Sequence, residues 1–139
     1  MAIVQAMCSS FKQQILLGEH NLAVDTLKIA LYTSLANIGP STTAYLTTDE
    51  VVGTGYVAGG NTLTGATVQL SGSTAFVDFD NTSWAASTIT ARGALIYNAS
   101  KSNKAVAVLD FGADKTSTSS AFTIQMPSND ATSALIRIN

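Results

Sequence analysis

The sequence predicts an all-β sandwich or barrel preceded by one short helix. The hydrophobic period changes from three-to-four to two near Thr26. Seven or eight short β-branched runs then recur at near-regular spacing, bounded by Gly, Ser, Asn or Asp. The two prolines, Pro40 and Pro127, fall where strands should be interrupted or end.

Within residues 1–20, Val4, Met7, Phe11 and Ile15 share one face of a helix. Ser10 and Gln13 have the spacing of a capping box, and Gly18 marks the stop. Thr26 to Ser34 alternates Leu27, Ile29 and Leu31 with Lys28, Ala30 and Tyr32, the pattern of a half-buried strand. Further strands are predicted at Leu63 to Leu70, Thr74 to Phe79, Ser87 to Tyr97, Lys104 to Phe111, Ala121 to Met126 and Ala134 to Ile138. Residues 35–60 break the pattern with Gly39-Pro40, Gly53, Gly55 and Gly59-Gly60. A stretch of that length is usually functional or poorly ordered. Tyr45, Val51, Val52 and Tyr56 supply apolar anchors, so it reads as a packed excursion or arm.

The 139 residues make a single domain, with no linker or internal repeat. A chain of this length buries roughly two thirds of its unfolded surface. Charged residues are only 12%, about half the usual share of roughly 25%. Hydroxyls replace them, with 18 Thr and 15 Ser. So weakly charged a surface suggests that much of it becomes covered in an assembly. The seven Lys and Arg are scattered, which argues against direct nucleic-acid binding and against an electrostatic membrane anchor. No basic residue precedes Lys12, so the start lacks the pattern of a secretory signal, and no apolar run reaches about 18 residues.

Motifs for chemistry are weak. A single cysteine, Cys8, excludes an intrachain disulfide and a Cys-based zinc cage. It reads as a small buried hydrophobe. The one histidine, His20, reads as a helix-end residue favoured by the backbone dipole. Asp78-Phe79-Asp80-Asn81-Thr82 resembles the first motif of haloacid-dehalogenase-type phosphatases. That chemistry needs Mg²⁺, a lysine, further carboxylates and a parallel α/β sheet, and no convincing helix follows here. The plainer reading is a strand ending in an Asx turn, with Asp78 and Asp80 facing solvent. Calcium binding by Asp78, Asp80 and Thr82 lacks the remaining oxygens. Trp84 could stack on a sugar, but reads better as a core-edge residue. No enzyme, cofactor or metal site is expected.

Several segments together resemble one family. They are Met1–Gln13, Asp25–Ser34, Gly53–Leu63, Ala75–Trp84, Thr90–Tyr97, Ala105–Gly112 and Ala121–Pro127. The chain resembles the small virion structural proteins of tailed bacteriophages, and among them the capsid cement, or decoration, proteins of Bordetella short-tailed phages. The resemblance spans nearly the whole chain. It implies a jelly-roll-like antiparallel sandwich without catalytic or metal residues. It also implies a homodimer on the exterior of the capsid, bridging copies of the major capsid protein, in particles assembled in the host cytoplasm. The candidate contact residues are Tyr45, Val51, Val52 and Tyr56 of the excursion, with Phe11 and Ile15 of the helix. A tail or head–tail connector role and a carbohydrate-binding sandwich are the alternatives.

Overall fold

The computed structural model describes residues 2–139. In chain order the elements are β1 (Ala6–Met7), α1 (Ser9–Leu16), β2 (Leu27–Tyr32), β3 (Asn61–Thr62), β4 (Thr67–Ser71), β5 (Thr74–Asp78), β6 (Thr82–Asn98), β7 (Lys104–Ile124) and β8 (Ile136–Ile138). The fold is an all-β antiparallel sandwich of eight strands with one short α-helix. One sheet has the order β1-β7-β6-β2-β3 and the other β4-β5-β8.

A single long hairpin dominates the larger sheet. β6 and β7 pair from Thr82↔Ile124 to Asn98↔Lys104, closed by a 3-10 turn at Ala99–Lys101. The strands expected separately at Lys104–Phe111 and Ala121–Met126 are therefore one strand, β7. The break between them is a bulge: Ala91 faces Lys115 and Gly93 faces Asp110, so the β7 side carries the extra residues. A bulge bends a strand without ending it. In the far half of β6, Ser87, Ile89 and Ala91 alternate as buried residues, and a register shift between Trp84 and Ser87 separates them from the buried Trp84.

The near half, Gly93–Asn98, is buried on both faces, and so is most of β2. The half-buried reading of Thr26 to Ser34 is corrected accordingly. Helix α1 and the 33–60 excursion add Phe11, Ile38, Val51 and Tyr56 to the same core as Ile29, Leu31 and Ile96. A strand covered on both sides reads as a continuous apolar run.

Two further expectations change. Val4 and Met7 lie outside the helix, because Met7 pairs with Ala107 and Ser9 begins α1. The capping box is not made: Cys8 occupies the N-cap without a side-chain bond, and the Ser10 Oγ is buried without a partner. Gly18 does end the helix, at φ +71°. The strand expected from Leu63 to Leu70 begins only at Thr67, as β4; residues 63–66 are irregular around Gly65, whose φ is +70°, and the short β3 precedes them.

Candidate interaction surface

The excursion over residues 33–60 is held down by a buried carboxylate. Glu50 is 8% exposed. Its Oε1 accepts the Tyr45 hydroxyl at 2.7 Å, and its Oε2 accepts the Tyr56 hydroxyl at 2.6 Å and the Gly59 amide at 2.8 Å. The Tyr56 oxygen in turn accepts the Leu31 amide of β2 at 2.9 Å, so the clamp reaches the central sheet. The Tyr97 hydroxyl donates to the Gly59 carbonyl at 2.7 Å, and its ring stacks on Tyr45 with centroids 4.7 Å apart. Burial, and then the bond to Glu50, push the Tyr45 and Tyr56 phenols well above their ordinary range. Both stay neutral and donate. Gly60 lets the chain cross β2: a Cβ there would lie 1.8 Å from the Ile29 carbonyl oxygen.

Three of the expected contact residues, Phe11, Val51 and Tyr56, are buried in the chain's own core. Tyr45 and Ile15 are half-buried, and only Val52, at 95% exposure, stands free. An amphipathic pattern marks a face that will be covered, but does not say by which chain.

The uncovered apolar surface lies elsewhere. Pairing across the small sheet aligns Val68, Val77 and Ile136 in one row and Leu70, Ala75 and Ile138 in the next. Directly paired residues point to the same side, so these six apolar residues share one face. Val77 and Ile136 join the core, each at 3% exposure. The face then runs out past its cover, leaving Val68 at 53%, Leu70 at 73% and Ile138 at 48%.

Opposite it stand the end of α1 and the loop that follows. Between them lies a groove of about 400 Å³, with Phe11, Ile15, Leu22 and Ala23 on one wall and Val68 and Ile138 on the other. Leu16, Leu17 and Val24, chain neighbours of that first wall, are also largely exposed. Of the ten exposed large hydrophobics, Val68 and Ile138 line this groove, and Leu70 shares their sheet face. Apolar residues scattered singly over a surface are ordinary; an uncovered apolar sheet face beside an apolar groove is a candidate interaction site. Of the sequence-predicted contacts, Phe11 and Ile15 line this groove; the other four do not.

The remaining motifs resolve into structure. Asp78, at the end of β5, does not face solvent as expected: it is 2% exposed. Its Oδ1 accepts the Phe79 amide at 2.9 Å, while its Oδ2 has no partner. Burial raises its pKa above the ordinary carboxylate value. Asp80 is exposed. Trp84 is 4% exposed and packs on Tyr56 and Phe122, so its ring offers no sugar platform. Cys8 is fully buried, and desolvation raises its thiol to about 11, which leaves it protonated. His20, expected as a helix-end residue, lies in the loop after α1 as a buried ring bonded at both nitrogens. Among the described residues no group of three or more His, Cys, Asp or Glu could hold a metal ion, and no helix is long and apolar enough to cross a membrane.

Comparison with known proteins places the chain beside none of them. No protein-family model, curated protein or solved structure matches it.

Proposed function

We propose that this chain is a virion structural protein that binds the outside of an assembled phage capsid and cements neighbouring shell subunits. The observation that supports this reading best is the open apolar face of β4, β5 and β8 opposite the end of α1. It is a surface suited to a macromolecular partner, on a chain whose buried Glu50, His20 and Cys8 are engaged within its own core. The partner in this reading is the major capsid protein, and the chain acts as a homodimer, since symmetric pairing is the usual choice. The site of action is the capsid exterior, after assembly in the host cytoplasm. The resemblance of the sequence segments supports the same role.

The mechanism is mass action. A protein that binds the expanded shell, but not a disrupted one, shifts the equilibrium toward the intact particle. Uncharged contacts suit this task, because apolar burial weakens little with salt. Icosahedral repetition multiplies a modest contact over many copies.

Copy number in purified particles tests the reading. Quantitative mass spectrometry should find this chain in numbers comparable to the major shell protein. A handful of copies per particle would overturn the cement role in favour of a tail or connector component. Absence from the particle would remove both.

A further inference from the structure

His20 sits on the wall of the apolar groove, and its surroundings admit one protonation state. We propose that it is an acid-released latch: a proton on Nδ1 turns its contact with Asn98 from a hydrogen bond into a meeting of two donors, and frees the Gly18–Asp25 loop. As a control on docking, this rests on reading the groove as the contact surface. As a property of the chain, it does not.

The ring is 7% exposed and packs on Phe11, with centroids 4.9 Å apart. Nε2 lies 2.8 Å from the Gln14 Oε1 of α1, and Nδ1 lies 3.0 Å from the Asn98 Nδ2 at the end of β6. The orientation of the Asn98 amide is settled by its other partners. Its Oδ1 accepts the Ser100 amide at 3.0 Å, and its Nδ2 also donates to the Asp25 Oδ2 at 2.8 Å. Nδ1 must therefore accept, and the ring proton sits on Nε2, donated to Gln14. Flipping the Asn98 amide would turn its NH₂ toward the Ser100 N–H and its oxygen toward the Asp25 carboxylate. One mismatch would be exchanged for two. Asn98 is fully buried, so water cannot mediate.

Charged groups face the ring from three elements. Glu19 and Asp25 on its own loop favour the charged ring, while Lys101 in the β6–β7 turn and Lys104 of β7 oppose it. Lys104 is itself paired with Glu19 at 2.6 Å. Desolvation comes first, reinforced by Lys104, and holds the ring below its ordinary 6.5. The unfolded chain therefore binds a proton before the folded chain does. The stability lent by the latch is complete above about pH 6.5 and is lost as pH falls through the folded value. The loop depends on the same network, since Asp25 also accepts the Asn21 amide at 2.9 Å. Leu22 and Ala23, which line the groove, lie between these anchors.

His20 is the only histidine, so its ring gives one unambiguous set of ¹⁵N signals. The free chain at pH 7.5 should show the neutral Nε2–H tautomer, titrating below 6.5. Across that midpoint the amides of residues 18–25 should lose hydrogen-exchange protection by ~10-fold or more, while β2 and β7 keep theirs. An Nδ1–H tautomer, a midpoint at or above 6.5, or unchanged protection of the loop would overturn the latch. Asn98→Asp presents an acceptor to Nδ1 and should move the midpoint upward. Should that variant misfold, the wild-type titration still decides. Because the measurement uses no capsid, failure of the latch leaves the cement reading standing, and absence from virions leaves the latch standing.

Discussion

The 33–60 excursion and the β4-β5-β8 sheet invert what their sequences advertise. The excursion is irregular, glycine-rich and long, yet it closes over a buried carboxylate with three donors. The sheet is regular and alternating, yet it leaves Val68, Leu70 and Ile138 in water. Regularity of backbone and completeness of burial are separate properties. A loop becomes rigid when its polar groups find partners inside it. A sheet stays open when its apolar face is wider than the layer opposite.

The largest effect should come from breaking the clamp. Glu50→Ala leaves Tyr56 and the Gly59 amide without their acceptor in a buried place. An orphaned buried donor costs about 1–3 kcal/mol, so a loss of about 3 kcal/mol is expected in urea unfolding. Glu50→Gln keeps one acceptor oxygen and should lose less. If Glu50→Ala unfolds like the wild type, the excursion is held by its apolar anchors alone. Tyr56→Ala falls in the same class, since it also removes the acceptor for the Leu31 amide. It is a stability variant and cannot serve to test retention on a capsid.

Next comes the open face. Leu70→Asp changes a residue that is 73% exposed, so the isolated chain should keep its stability within about 0.5 kcal/mol. On expanded capsids its retention should fall ~10-fold, which corresponds to about 1.4 kcal/mol per site. Ile138→Asp, on the same face, should behave alike. Full retention of both would move docking away from this groove.

Much of the fold was legible because strands announce themselves by period and punctuation. β2, β5, β6 and β8 lie where alternation predicts them, within a few residues. What stayed hidden depends on contacts between segments far apart in sequence. The bulge that joins the two halves of β7 is a matter of register against β6, which no local pattern records. The Glu50 clamp unites residues 45, 50, 56 and 59, where Tyr45 and Tyr56 read only as apolar anchors. Their hydroxyls were the available signal: a tyrosine with a nearby acid can bury both. The open face was the least legible, because Val68 and Leu70 alternate just as Leu27 and Ile29 do. Alternation tells which side is apolar, and only the layer opposite tells whether that side is covered.

A smaller effect tests the other kind of imperfect burial. Asp78 keeps a carboxylate oxygen buried without a partner, and burial raises its folded pKa. The folded chain thus holds this proton more tightly than the unfolded chain. Above the unfolded value near 3.8, stability is lost as pH rises through the folded value. Asp78→Asn removes that loss. Its advantage over the wild type in urea unfolding should be absent near pH 3 and present at pH 7. An advantage independent of pH would mean that packing rather than ionisation separates the two. The same variant bears on the phosphatase resemblance, since turnover that vanishes in Asp78→Asn would contradict a purely structural role.

The smallest effect belongs to Val52, where the two regions meet the same question with opposite answers. It lies in the closed excursion and is 95% exposed, between the core residue Val51 and Gly53, which packs against the Thr88 backbone. It is the most exposed apolar side chain of the excursion, ahead of Val57 at 77%. If docking uses the open face alone, Val52→Ser should alter neither stability nor capsid retention beyond about 0.5 kcal/mol. Retention reduced as much as in Leu70→Asp would extend the contact surface onto the excursion. The clamp would then have a second consequence, holding Val52 at a fixed height above the sheet, and Glu50→Ala would weaken capsid binding as well as folding.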